Sequence, residues 1–209
     1  MAGIAIGVNN FYYGIVETDT EKDWSVKDVK RVRFLNEISV EPEQEVAKAF
    51  GDNQTAAKAT NNGDITVSTT FVSIPLEDKA VLTGSKVEDG VVRFNKDDIP
   101  PEVAVVFERT NHDGSSEWLG FYKGTFNRPS EGGKTKEESI EFQDSSVEGT
   151  FIPRLFDGDT HIMAVDNKGE TTNRDKVFTE LFGGTFEDIT APAQNEEDIT
   201  EQNEEDALA

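Results

Sequence analysis

Residues 117–126 read EWLGFYKGTF and residues 149–154 read GTFIPR, and the stretch that they enclose decides the fold. The large apolar residues of the first run fall into two alternating sets, Trp118, Tyr122 and Phe126 in one and Leu119 and Phe121 in the other. Successive side chains of a β-strand point to opposite faces, so both faces of this strand are apolar. We therefore expect one face to fill the subunit interior and the other to be covered by a helix or by a neighbouring subunit.

A second strand follows after a polar loop, and its apolar pattern changes phase. Ile140 and Phe142 occupy even positions, whereas Val147, Gly149 and Phe151 occupy odd positions. Because side chains alternate along a strand, such a change requires an extra residue. The sequence therefore predicts a β-bulge near residues 144–146.

Short strand patterns separated by turns fill most of the remaining chain. Asn-Gly and Asp-Gly pairs recur, and the runs between them are rich in Val, Ile, Phe and Thr, as in all-β sandwiches and barrels. The clearest alternation runs through Ile65, Val67, Thr69 and Phe71. Val103–Phe107 is apolar throughout, which predicts a strand that is buried on both faces.

Two short helices are also predicted. The first covers about 75–82, because it has proline at its start, acidic residues in its first turn and Gly84 as a stop. The second covers Arg174–Phe182, where apolar residues recur three and four positions apart before Gly183.

Residues 38–60 predict a long hairpin centred on Gly51–Asn53. Its apolar residues are mostly alanines, which make a poor core. A hairpin that cannot bury itself can form an arm that pairs with a neighbouring subunit by strand addition. The alternative is a meander that packs on its own sheet.

The chain is strongly acidic, with a formal charge of −22. Its last 23 residues, Glu187–Ala209, contain nine acidic residues and no basic one, which leaves −13 for residues 1–186. This composition predicts one folded domain over 1–186 and a disordered acidic tail over 187–209. Three roles for the tail remain open: it delays premature assembly, recruits an assembly partner or aids solubility.

The charge and composition exclude several classes of function. DNA carries about one negative charge per 1.7 Å of duplex, so an acidic body opposes conventional nucleic-acid binding. The chain has no cysteine, which excludes disulfides and thiolate metal sites. Residues 1–8 have neither a positive start nor a long apolar run, so we expect neither a signal peptide nor a membrane span.

The sequence predicts no catalytic residue, no metal site and no cofactor. Only His112 and His161 are present, without a nucleophile elbow, phosphate loop or metal-ligand spacing beside them. We expect His112 to be solvated in a turn and His161 to be a structural residue on a strand. The acid pairs 97–98 and 157–159 lack the order of a calcium loop, and we interpret them as surface acids.

Several of these segments together resemble the major tail tube proteins of long-tailed bacteriophages (siphophages). The resemblance covers roughly Gly3–Asn167, and its motifs are sheet and turn patterns whose order carries the match. They are the Lys-Gly end of the first run, Glu-Phe-Gln at 141–143, GTFIPR at 149–154, GVNNFYY at 7–13, GDITV at 63–67 and IPLE at 74–77.

The resemblance implies a mainly β fold, namely a tail-tube-type β-sandwich or barrel with one or two short α-helices and an extended β-hairpin arm. It implies a structural virion protein, made in the bacterial host cytoplasm, that self-assembles into hexameric rings stacked as a tail tube. Genomic DNA would pass through this tube without specific binding during ejection. The implied partners are further copies of the chain and the tail terminator, tape measure and distal tail proteins, with no membrane.

We predict that the contacts between subunits involve the arm and the decisive stretch. The candidate residues are Val46, Phe50, Ala56, Ala57, Trp118, Tyr122, Phe151 and Arg154. For Arg154 a surface salt bridge is the alternative. The competing function is a monomeric carbohydrate-binding β-sandwich module that uses Trp24 or Trp118 as an exposed stacking platform.

Overall fold

The computed structural model describes residues 3–51, 54–130 and 144–190 of the chain. Most of them lie in ten strands and three helices. The strands are β1 (Ala5–Asp19), β2 (Trp24–Val32), β3 (Leu35–Gly51), β4 (Gln54–Phe71), β5 (Lys86–Glu88), β6 (Val91–Arg93), β7 (Val103–Asn111), β8 (Ser116–Phe126), β9 (Ser145–Ile152) and β10 (His161–Asp166). The helices are α1 (Leu76–Thr83), α2 (Thr172–Phe182) and α3 (Phe186–Thr190). The prediction of a mainly β fold is confirmed.

One antiparallel sheet of eight strands dominates the subunit; seven of them follow the order β2-β1-β7-β8-β9-β4-β3, and the eighth, β10, pairs with β8 off this path. Strand β8 divides this sheet, because residues 116–121 pair with β10 whereas residues 123–126 pair with β9. The short strands β5 and β6 form a separate hairpin.

The inner core lies between the two parts of this sheet. It gathers buried side chains from β1, β7 and β8 on one side and from β4 and β9 on the other, among them Phe11, Tyr13, Val67, Phe71, Val105, Phe107, Phe121, Val147 and Phe151. Ile65–Phe71 alternates between buried and half-buried residues as predicted.

The helix-side core lies on the opposite face of β1, β7 and β8. There Tyr12, Val106, Trp118 and Tyr122 pack against Val177, Phe178, Leu181 and Phe182 of α2. Each face of Val103–Phe107 therefore enters a core, and all five residues are buried. The two-faced strand at residues 117–126 is confirmed, and the cover on its second face is helix α2.

One detail of that prediction is wrong. Phe126 was assigned to the same face as Trp118 and Tyr122, but it lies in the inner core. The register between β7 and β8 shifts between the pairs Val103↔Gly124 and Val105↔Phe121. This irregularity supplies one extra residue on β8 and reverses the face of the residues after it.

Both predicted helices are confirmed, and each of them is followed by the predicted glycine. Gly84 and Gly183 follow α1 and α2 in the left-handed conformation, with φ of 69° and 80°, which glycine adopts without steric cost. Helix α3 was not predicted. It carries the folded chain to Thr190, four residues past the boundary predicted at residue 186, and the rest of the predicted tail lies outside the described residues.

Only the second half of the predicted phase change lies within the described residues. Strand β9 begins at Ser145 with Val147, Gly149 and Phe151 buried, as the odd positions require. Ile140 and Phe142 lie outside the described residues.

Candidate self-assembly surfaces

The long hairpin extends well beyond the sheet that anchors it. Strands β3 and β4 pair from Leu35↔Phe71 to Gly51↔Gln54, whereas β4 pairs with β9 only over Ile65–Phe71. We call residues 42–51 and 54–64 the arm. Residues 42–51 of an extended strand span about 33 Å at about 3.3 Å per residue, and the arm side chains that the structure describes are exposed. The predicted hairpin is confirmed, and the alternative of a meander packed on its own sheet is wrong for this part of it.

The two faces of the arm differ in chemistry. Ala47 lies opposite Ala59 on one face, and the backbone of Ala49 pairs with that of Ala57 two residues further along. On the other face Lys48 lies directly opposite Lys58. Like charges placed opposite each other across a strand pair destabilise the pair, and neither lysine has an ion-pair partner among the described residues. Lys48 and Lys58 therefore place two positive charges, without ion-pair partners in the described part of the chain, on the outer part of the arm.

Four of the predicted contact residues lie on this arm. Val46 is 39% exposed, and Ala57 is exposed as well. Phe50 pairs with Thr55 near the end of the arm, and Ala56 follows on β4. The side chains of Phe50 and Ala56 lie outside the part of the structure that is described.

The other four predicted residues lie inside the subunit. Trp118, Tyr122, Phe151 and Arg154 are at most 4% exposed. Phe151 belongs to the inner core, and Trp118 and Tyr122 belong to the helix-side core. In this conformation their side chains support the fold, and a neighbouring subunit cannot reach them.

Arg154 is buried against aromatic rings. Its guanidinium carbon lies 3.6 Å from the Tyr122 ring centroid and 5.2 Å from that of Trp24. Its Nε donates a hydrogen bond to Asp157 Oδ1 at 2.7 Å. A second guanidinium nitrogen forms an ion pair with Glu180 on α2 at 3.6 Å. The expected alternative of a surface salt bridge is wrong, because Arg154 is 3% exposed.

The polar groups around Arg154 form one network. The Tyr122 hydroxyl donates a hydrogen bond to Glu180. The pKa of Tyr122 is raised mainly by burial and, to a smaller extent, by this hydrogen bond. The hydrogen bond from Arg154 lowers the pKa of Asp157 below its ordinary value of 3.8, although burial opposes the shift. The network ties β8, the segment after β9 and α2 together.

A second surface, which we did not predict, is the outer face of β3, β4 and β9. Nine residues form three rows across these strands, each with one glutamate and two hydroxyl residues. The rows are Glu37-Thr70-Ser146, Ser39-Ser68-Glu148 and Glu41-Thr66-Thr150. We call this surface the hydroxyl face. In the sequence, this face is indicated by the polar residues that alternate with the apolar residues of Ile65–Phe71.

The hydroxyl face is the reverse of the inner core. Along β4, Ile65, Val67 and Phe71 point into that core, whereas Thr66, Ser68 and Thr70 alternate with them. The hydroxyls of Thr70 and Ser146 lie 3.3 Å apart. None of its nine residues is basic, so the face offers carboxylates and hydroxyls to whatever lies against it.

The remaining candidates do not assemble into a catalytic site. His112 is exposed and accepts a hydrogen bond from the Ile4 amide at Nδ1, and His161 stacks against Phe121 at 5.9 Å. Among the described residues, no group of three or more His, Cys, Asp or Glu side chains is placed to hold a metal ion. No helix in the described part of the chain has the length and apolarity needed to span a membrane.

The stacking platform of the competing function is also occupied. Trp118 lies beneath α2 and α3, where its ring contacts Phe178 and Phe186. The Trp24 indole donates to the Leu181 carbonyl at 3.0 Å and meets Tyr122 edge-on. Trp118 is buried, and Trp24 is half-buried with Arg154 and Tyr122 against its ring, so neither is the fully exposed platform that the competing function expects.

The subunit is thus a mainly β fold with a projecting arm and a polar outer face on β3, β4 and β9. The chain belongs to the phage tail tube protein family, whose sequence model matches residues 38–190. It is therefore a structural protein of phage tails and a component of the virion. The matched range includes the arm, the hydroxyl face and the Arg154 network.

Several solved structures are similar to the chain, including two from the anti-feeding prophage. One is the tube-terminating cap of the anti-feeding prophage, with 10% identity over 79% of this chain and 95% of that chain and a TM-score of 0.44. The other is from the 6-fold symmetrised baseplate of the anti-feeding prophage, with 11% identity over 81% of this chain and 100% of that chain and a TM-score of 0.43. No curated protein matched the chain.

Proposed function

We propose that this chain self-assembles into stacked rings that form the tube of the phage tail, through which genomic DNA is ejected into the host. The arm is the observation that carries this proposal. The number of six subunits per ring follows from the resemblance to the major tail tube proteins. The tail terminator, tape measure and distal tail proteins are the further partners that the same resemblance implies.

The energetics of the arm favour a contact with another subunit. A two-stranded hairpin is marginally stable in water unless it packs against a third element. Among the described residues, no third element packs against the arm, and its lysine pair adds repulsion between its strands. A neighbouring subunit supplies both an apolar surface for the alanines and acidic groups for Lys48 and Lys58. Val46, Phe50, Ala56 and Ala57 are the contact residues in this proposal.

The hydroxyl face is the part of the subunit best suited to line the tube. A wall in contact with moving DNA must not hold phosphates, and carboxylates repel them. Glu37, Glu41 and Glu148 spread this charge over all three rows, and no lysine or arginine interrupts it. The residues between these glutamates have short hydroxyl side chains, so no long side chain projects from the face between them.

Assembly tests the role of the arm. Ala47→Pro combined with Ala59→Pro removes strand pairing at a cross-strand pair outside both cores, and Ala47→Ser with Ala59→Ser is the matched control. We expect the proline variant to melt near the wild-type temperature but to stay unassembled in light scattering and sedimentation, while the serine variant assembles. Normal tubes from a folded proline variant would refute the role of the arm.

Charge reversal tests the lumen. Glu41→Lys with Glu148→Lys should leave tube formation intact but make the tubes retain DNA and deliver less of the genome. Glu21→Lys with Glu77→Lys makes the same change in net charge away from the hydroxyl face. Unchanged delivery by the first pair would show that this face does not line the lumen.

A further inference from the structure

The two terminal strands of the large sheet carry opposite charge. Strand β2 lies at one end of the strand order and β3 at the other. The β2 region, residues 22–33, holds five basic residues, Lys22, Lys27, Lys30, Arg31 and Arg33, and residues 37–45 of β3 hold four acidic ones, Glu37, Glu41, Glu43 and Glu45. A chain with 42 acidic and 20 basic residues has concentrated a quarter of its cations beside one free sheet edge.

A groove of about 500 Å³ lies where β2 ends. It is lined by Asn9, Asn10, Arg31, Arg33 and Phe34, with Val32 and Leu35. Asn10 Oδ1 accepts a hydrogen bond from Arg31 at 2.5 Å, which fixes the direction of that guanidinium. Arg33 has no side-chain partner among the described residues. The groove therefore has one positioned cation and one free cation.

The rim of the groove has the character of an interface. Phe34 is 68% exposed although it is a large apolar residue. Phe34 and Asn10 both have positive φ, 67° and 49°, a region that bulky residues rarely adopt and that concentrates at functional positions. Arginine and aromatic residues are also the types that dominate binding energy in protein interfaces.

The acidic side lies at the base of the arm. Glu43 and Glu45 are exposed, and neither makes an ion pair or a side-chain hydrogen bond among the described residues. They lie on the same face of β3 as Glu41, with the uncharged residues Pro42 and Gln44 between them. Within the described part of the chain, no ion pair offsets their mutual repulsion.

We propose that the groove at the end of β2 binds the acidic base of the arm of a second copy of this chain. This inference rests on the ring proposed above. Because the two surfaces differ, the contact is heterologous, and each subunit uses its groove toward one neighbour and its arm base toward the other. Heterologous contacts close into a ring when the rotation permits. Opposite charges at such a contact fix its register and exclude like-charged pairings.

Charge-reversed variants test this pairing by complementation. A groove variant carries Arg33→Glu in the groove and Lys30→Glu beside it on β2, which keeps the Arg31 to Asn10 hydrogen bond. An arm-base variant carries Glu43→Lys with Glu45→Lys. We expect each variant alone to lose at least about tenfold in assembled fraction, since like charges face each other at every contact. Mixed in equal amounts they should assemble, because each variant's groove then meets an arm base of opposite charge.

The composition of the mixed rings gives the sharpest result. The two variants must alternate, so native mass spectrometry should find rings with an even number of subunits and equal amounts of both. Arg93→Glu with Lys96→Glu changes the net charge as the groove variant does, at exposed sites outside the groove, and should assemble like the wild-type chain. Circular dichroism should show that all of these variants are folded.

The outcomes separate this pairing from the tube itself. If wild-type chain forms tubes and folded groove and arm-base variants assemble equally well, the pairing is wrong and the tube stands. If both variants fail alone and also fail when mixed, the pairing is wrong as well. Wild-type chain that never assembles overturns the tube and the pairing together.

Discussion

The guanidinium group of Arg154 is stacked on the ring of Tyr122, with 3.6 Å between its central carbon and the ring centroid. The hydroxyl of Tyr122 and a guanidinium nitrogen of Arg154 both reach Glu180 on α2. A single basic side chain after β9 therefore holds the aromatic strand and the helix that covers it. This contact explains why the end of GTFIPR is tied to the middle of EWLGFYKGTF in the folded subunit.

Arg154→Ala should destabilise the subunit by about 3 kcal/mol. A desolvated cation–π contact contributes about 2 kcal/mol. Hydrogen bonds to charged groups contribute about 1.5–3 kcal/mol each, but the bonds to Asp157 and Glu180 contribute less because these two residues are partly exposed. Arg154→Lys should recover only part of the loss, because an ammonium group cannot stack and bind Asp157 in the same geometry. Urea unfolding measures both, and a loss below about 1 kcal/mol for the alanine variant would contradict the network.

Acid should weaken the same network. The pKa of Asp157 is below its ordinary value of 3.8 in the folded state, so the folded state favours the ionised form. The stability from this shift is complete above the ordinary pKa and is lost as pH falls through the lowered pKa. We expect Asp157→Asn to be less stable than wild type at pH 7 and to lose less stability between pH 5 and pH 3. Equal losses for both proteins would exclude this role.

Asp166 should anchor the start of α2. It is 1% exposed, and its two carboxylate oxygens accept hydrogen bonds from the amides of Asn173 and Arg174 at 2.9 and 2.8 Å. A carboxylate that caps a helix start stabilises it by about 1–2 kcal/mol. Asp166→Ala should cost about that much in thermal unfolding, and Asp166→Asn should cost less. An unchanged melting temperature for Asp166→Ala would refute the anchor.

Gly124 should not tolerate a side chain. A Cβ at this position would lie 2.4 Å from Phe151 Cδ1, and Phe151 is fully buried in the inner core. Overpacking of this kind costs about 1–3 kcal/mol. Gly124→Ala should destabilise the subunit in that range, and Phe151→Leu should lose less stability in the alanine background than in wild type. Additive effects in this double-mutant cycle would show that the ring and the glycine do not share the space.

The folded domain should end at Thr190, with an acidic tail after it that we propose aids solubility. Phe186 and Ile189 of α3 pack against the helix-side core. A chain that ends at Thr190 should therefore melt like the full chain and lose solubility, whereas a chain that ends at Thr185 should be less stable. Faster tube formation by the first truncation would favour the alternative role of delaying assembly.

The sequence predicted features that depend on local patterns. The arm, both longer helices and the buried strand Val103–Phe107 followed from alternation, composition and glycine stops. The two-faced strand at residues 117–126 predicted a cover on its second face, and α2 is that cover.

Features that depend on register or distant pairing were not predictable in this way. The irregularity in β8 places Phe126 in the inner core; Gly124 lies at this irregularity, but a single glycine within a strand does not fix the register. The burial of Arg154 depends on α2, which begins 18 residues later in the chain. The hydroxyl face needs three strands in register, and two of them are separated by more than 70 residues in sequence.

Electron cryo-microscopy of the concentrated purified chain tests the central claim most directly. We predict hollow tubes of stacked rings, with the hydroxyl face toward the lumen and the arm in contact with a neighbouring subunit. Particles that remain monomeric at every concentration, or tubes in which the arm contacts no other subunit, would contradict this account.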